Sequence, residues 1–144
     1  MSDARREAFI DAPVSVIWNL VSDIDRHPEW WPRVIEIDGE RFEQGCTYRE
    51  VVQTPLGKEE MNIEIEQLDD CENLSIRCVS TGTYVNFLLT EAQGGTFVDS
   101  RMGMDPKGVG NKVFDAILGR RFFTGWLQET VEALERAARR RDQA

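Results

Sequence analysis

The side chains that could move a proton sit mainly in one short stretch. Tyr48, Arg49 and Glu50 are consecutive within the β-branched and aromatic segment 47–53. Alternation there is mixed, so either Glu50 or Arg49 could point inward. Asn86, Ser100 and Arg101 are the other polar groups on strand-like segments that could face an interior. A carboxylate, a phenol and a guanidinium could together perform acid–base work on a carbonyl compound. Burying either charge is costly unless it is paired. His27 is the only histidine. Before Pro28 in a short helical segment it reads as a surface or capping residue.

Other chemistry finds little support. There is no HExxH, GxSxG, P-loop or complete GxGxxG pattern. Gly108-Val109-Gly110 follows hairpins rather than a βαβ unit, so it reads as a hinge loop. Cys46, Cys71 and Cys78 form no CxxC pair, and with one histidine no zinc site of usual composition is expected. Cys78 alternates with Leu74 and Ile76 and reads as a core residue. Cys71 lies in an acidic turn and reads as exposed. Glu59, Glu60, Glu64 and Glu66 read as the solvent face of a strand. No catalytic residue is assigned, and neither a cofactor nor a metal is expected.

The elements that must position these groups are legible from periodicity. Arg6 to Ile10 is a short first strand. Asp11-Ala12-Pro13 offers a capping acid and a proline near the first helical position. Val14, Ile17, Trp18 and Val21 then recur at helical spacing. A second brief helix, with Asp25 as a capping candidate, ends at Pro32. From Val34 to Met104 strands succeed one another with no helix between. Ile35 and Ile37 alternate with Glu36 and Asp38. Met61, Ile63 and Ile65 alternate with Asn62, Glu64 and Glu66, the clearest half-buried strand. Leu74 to Cys78, Val85 to Leu89 and Val98 to Met104 alternate likewise. Thr54-Pro55-Leu56-Gly57 and Gln93-Gly94-Gly95 make turns.

One long helix closes the chain. Phe123, Leu127, Val131, Leu134 and Ala138 fall within about 80° of its circumference. Phe114, Leu118 and Phe122 face roughly the opposite way, and Val113 and Ile117 a third. Gly119 and Gly125 lie where the faces exchange. A sheet with one apolar face covered by a single helix leaves an apolar gap between them. Its walls are expected from Ile35, Tyr48, Glu50, Met61, Ile63, Ile76, Phe87, Met102, Phe114, Leu118 and Phe122. Trp30 is expected at its mouth, where indole offers an apolar face and one N–H donor.

Composition sets further bounds. The 144 residues fit one domain, taken as residues 1–144, with hydrophobic residues at 41% and charged residues at 30%. A net charge of −9 argues against nucleic acid and against anionic membrane surfaces. The basic run Arg136, Arg139, Arg140 and Arg141 reads as a solvated helix end. No apolar run approaches a membrane span, and the first residues do not read as a secretory signal. A cytoplasmic protein, monomeric or weakly dimeric, is expected.

The segment IDAPVSVIWNLVSDIDRHPEWWP, residues 10–32, resembles the opening of the START-like (SRPBCC) superfamily of polyketide cyclase/dehydrase-type proteins. Gly94-Gly95-Thr96 before the last strand and the terminal helix are similar too. The resemblance implies an α+β helix-grip fold: a seven-stranded antiparallel sheet around the C-terminal helix, with two short helices after the first strand. It also implies a small hydrophobic partner such as a lipid, quinone or polyketide. Two readings result: noncatalytic binding or transport of such a ligand, which is favoured, or a cyclase/aromatase-like enzyme acting on it. A protein-interaction module of the same fold is a third.

Overall fold

The computed structural model describes residues 2–142. β1 (Ser2–Ile10) leads into α1 (Val14–Ser22) and a 3-10 helix (Ile24–Glu29). Then come β2 (Val34–Asp38), β3 (Thr47–Thr54), β4 (Gly57–Asp69), β5 (Asn73–Cys78), β6 (Thr83–Ala92) and β7 (Gly95–Met104). The remainder is helical from 108 to 142: α2 (Gly108–Phe114), a π-helical turn (Asp115–Gly119) and α3 (Arg120–Asp142). The strands form one sheet in the order β1-β7-β6-β5-β4-β3-β2, antiparallel at every step.

Period-two patterning decides which side chains meet the helix. Met61, Ile63 and Ile65 of β4, Leu74, Ile76 and Cys78 of β5, and Val85, Phe87 and Leu89 of β6 are buried. α3 packs on β1, β7 and α1. Its stripe of Phe123, Leu127, Val131, Leu134 and Ala138 is buried throughout. Each of its leucines contributes roughly 1.5–3 kcal/mol by leaving water.

Several local expectations are corrected. His27 is fully buried, not on the surface. Its ring lies edge-on to Trp30 at 5.8 Å and to Trp31 at 4.7 Å, and Nε2 donates to the Val21 carbonyl at 2.8 Å. Ile35 is 42% exposed, because the β2–β3 register shifts between Val34 and Glu36. Such a bulge takes the extra residue out of the ladder. Asp11 does not cap α1: the N-cap is Pro13, and no side chain caps that end. Asp25 lies inside the first turn of the 3-10 helix, whose N-cap position is Asp23. Cys71 is half-buried, with φ at 59°.

Gly82 fixes the end of the sheet nearest α2. Its φ is +80°, and its carbonyl accepts from the Asp105 amide at 2.9 Å. A Cβ here would lie 1.7 Å from the Asp105 carbonyl oxygen. Gly82→Ala should therefore cost about 3 kcal/mol or more, combining a backbone clash with a strained φ. Urea denaturation measures this, and a loss under about 1 kcal/mol would show that the β5–β6 turn moves freely.

Candidate functional site

The sheet and helix part at one end. Between them lies a cleft of about 210 Å³. The β3–β4 hairpin supplies one lip through Thr54, Leu56, Glu59 and Met61. The β5–β6 turn and the end of β7 add Thr81, Thr83 and Met104. The helix supplies Gly110, Asn111, Phe114, Phe122, Phe123 and Trp126.

The helical wall is aromatic, and the π turn builds it. Along a regular α-helix Phe114 and Phe122 point about 80° apart. The wider π turn between them rotates the succeeding helix by roughly a quarter turn, bringing Phe114, Phe122 and Trp126 onto one face. Phe114 meets Phe122 edge-on at 5.9 Å, and Phe122 lies 5.4 Å from Trp126. Trp126 Nε1 donates to the Pro32 carbonyl at 2.7 Å. The Arg33 guanidinium sits 5.4 Å over the Phe122 ring and pairs with Glu129 at 3.6 Å. These contacts tie the aromatic wall to the loop before β2.

The opposite wall is polar at its rim. Thr54 Oγ1 donates to the Gly57 carbonyl at 2.9 Å and accepts from the Leu56 amide at 3.1 Å. The Thr81 and Thr83 hydroxyls bond each other at 2.9 Å. Further in, β3 turns Tyr48, Glu50, Val52 and Thr54 inward, all buried. Arg49 faces out and pairs with Glu60 at 2.9 Å and Glu36 at 3.3 Å. The ambiguity over residues 49 and 50 is thus resolved toward the carboxyl.

Glu50 stands opposite Met61 in the β3–β4 ladder. Cross-strand neighbours lie about 5 Å apart at Cβ, so Glu50 borders the residue that lines the cleft. Burial without a paired cation raises its pKa to about 8, so near neutrality it is mostly a neutral acid able to donate. Burial, with the neighbouring Glu50 charge as a smaller cause, pushes the Tyr48 phenol well above its ordinary value. The buried Tyr48 hydroxyl has no hydrogen-bond partner among the described residues. With Thr54 nearer the rim, Tyr48 and Glu50 are the polar groups that β3 turns inward.

The twelve residues expected around a ligand fall into several places. Met61, Phe114 and Phe122 line the cleft. Ile63, Ile76, Phe87 and Met102 lie deeper and are buried. Tyr48 and Glu50 face inward beside them. Leu118 is half-buried and off the cleft wall, and Ile35 is on the outside. Trp30 is off the cleft too. Its Nε1 donates to the Leu20 carbonyl at 3.2 Å, and the ring borders a separate surface groove with Arg26 and Arg140. Trp126 holds the place given to Trp30. Its spacing of four from Phe122 was a usable signal. Thr54 continues the inward series 48, 50, 52. Leu56 and Thr81 lie in turns, where periodicity gives no signal.

An antiparallel sheet closed over one long helix, with a cleft at the end of their contact, defines a START-like helix-grip protein. The chain belongs to the family described as polyketide cyclase / dehydrase and lipid transport, which residues 1–139 match. Its backbone is similar to that of a Thermus thermophilus protein, at 14% identity and a TM-score of 0.77, covering 96% of this chain and 97% of that one. It is also similar to the di-domain aromatase/cyclase StfQ of the steffimycin biosynthetic pathway, at 18% identity and 0.76, covering 99% of this chain and 52% of that one. A START superfamily protein from Mycobacterium smegmatis gives 13% identity and 0.70, covering 99% and 98%. At these identities the likeness speaks for the fold. No curated protein matches the sequence. Among the described residues no helix is long and apolar enough to cross a membrane.

Proposed function

We propose that the protein binds a small, largely apolar molecule in the cleft between sheet and helix, with a hydrogen-bonding group of that molecule directed toward Glu50. A lipid, a quinone or a polyketide-like compound has this character. The reading is carried by an aromatic cleft one of whose wall residues, Met61, is paired across the strands with the buried carboxyl of Glu50, which burial keeps mostly protonated near neutrality. Phe114, Phe122 and Trp126 supply apolar contact, and Met61 and Thr54 the facing wall. Glu50 supplies one donor to a carbonyl or hydroxyl oxygen, the combination that fixes a ligand's orientation in an apolar pocket.

Native mass spectrometry of the purified protein, with extraction of any retained small molecule, tests the reading. ANS serves as the probe for a protein that retains none. Glu50→Leu should weaken the retained ligand roughly tenfold, and Glu50→Gln, still a neutral donor, should bind within a few fold. No retained molecule together with no saturable ANS uptake would sink the proposal.

A second reading is favoured by the same carboxyl. A group that titrates near neutrality suits general acid–base work on a bound carbonyl compound, as a cyclase or aromatase requires. Then Glu50→Gln should keep binding and lose about 10²–10⁴ in turnover. Equal turnover in both proteins would leave binding alone.

A further inference from the structure

The N-terminal half of the long helix is apolar on two sides. Phe114 and Phe122 face the cleft. On the solvent side Val109 is 80% exposed, Val113 51% and Ile117 73%. Four-residue spacing, continued through the π turn, sets these three in one stripe along the helix. Lys112 and Arg120 run along one flank and Arg121 closes the end, all exposed. Lys107 precedes the stripe. Between 107 and 121 the one acid is Asp115, which is buried. A chain of net charge −9 therefore presents, beside the mouth of its cleft, a locally cationic and apolar helix face.

We infer that this face docks on an anionic lipid bilayer. An apolar stripe with basic flanks suits the interface between headgroups and acyl chains, and each Lys or Arg adds attraction to anionic lipid. The charge argues against the simplest alternative. A second copy meeting this face through a two-fold axis would bring Lys112, Arg120 and Arg121 of both copies together with no exposed acid between 107 and 121 to pair them. The opposite lip has an exposed residue too, Leu56 at 69%, but its hairpin carries Glu59 and Glu60 against the single cation Lys58. The helix lip leads and the hairpin lip stays clear. Docked this way, the cleft opens at the bilayer surface, and an apolar ligand can pass between membrane and pocket without crossing water. The net charge, taken alone, argues against such a surface; its distribution reverses that. Docking rests on the outer helix face and not on the ligand reading.

Sedimentation with vesicles of phosphatidylcholine, with and without phosphatidylglycerol, tests it. The protein should bind the anionic vesicles and bind phosphatidylcholine alone far more weakly. Joint Lys112→Gln, Arg120→Gln and Arg121→Gln changes should lower partitioning about 10²-fold, near fivefold per charge. Joint Val109→Ser and Ile117→Ser should lower it at least tenfold and leave ANS binding in vesicle-free solution unchanged. Loss of ANS binding in a protein that still sediments would count against the cleft, not against docking. No binding to anionic vesicles would overturn the inference. So would binding abolished by Arg139→Gln, Arg140→Gln and Arg141→Gln but indifferent to the stripe. A stable dimer in analytical ultracentrifugation that the Val109 and Ile117 changes dissociate would show that a second copy covers the face instead.

Discussion

Between pH 6.5 and 8 the stability of this protein should fall by about 2 kcal/mol, and Glu50→Gln should abolish the fall. Glu50 is buried and its pKa rises from 4.5 to about 8 on folding. The folded state thus holds a proton through this window that the unfolded chain has released. Stability is lost wherever the folded state binds more protons and pH rises. His27 works in the opposite direction. Burial lowers its pKa from 6.5 to about 4, against a smaller raising effect of its bond to the Val21 carbonyl. The unfolded chain binds the extra proton between those values, so stability rises with pH there. From pH 4.5 to 6.5 the two slopes nearly cancel, and above 6.5 the Glu50 slope stands alone. In Glu50→Gln the hidden limb should emerge: a rise of about 3 kcal/mol from pH 4 to 6.5, owed to His27. Urea titrations at stepped pH measure both. Superimposable curves for the two proteins would mean that Glu50 reaches water in solution.

Trp126→Ala should cost about 3–5 kcal/mol and enlarge the cleft. The indole is 3% exposed, stacks with Phe123 at 6.4 Å and holds the Pro32 carbonyl. It therefore ties the helix to the loop that starts β2, besides forming the wall. Trp126→Phe separates the two jobs. It keeps most of the ring contact and loses the N–H bond, for about 1 kcal/mol. If the alanine protein stays within about 1 kcal/mol of the parent in urea denaturation, the loop and helix are not joined through this residue.

The architecture was readable because it rests on two periods. Alternation at Met61–Ile65 and Leu74–Cys78 puts those side chains on the buried face of the sheet, and they share one core with the stripe from Phe123 to Ala138. What escaped depended on events that side-chain pattern does not record. The alternation of Ile35 with Glu36 was real, but a backbone register shift turned Ile35 outward. His27 looked superficial beside a proline. Two tryptophans just after it in sequence fold over the ring and bury it. Part of the cleft rim lies at turns, at Leu56 and Thr81, where no period operates. Glu50 was one of two possible inward residues, and the pairing of Arg49 with Glu36 and Glu60 on the outer face decided between them.

The π turn at Asp115–Gly119 absorbs one residue more than a regular helix would need to align the faces on either side of it. It works like a vernier on a shaft. Removing one residue from it would return the helix to regular pitch and still leave Phe114 on the face of Phe122 and Trp126, because positions seven apart in a regular helix differ by only about 20°. A pocket built this way can lose a single codon at the turn and keep its aromatic face, whereas the same eight residues wound as regular helix would set Phe114 about 80° from Phe122. Variation among similar chains is then better sought as gaps around 115–119 than as exchanges at the aromatic positions.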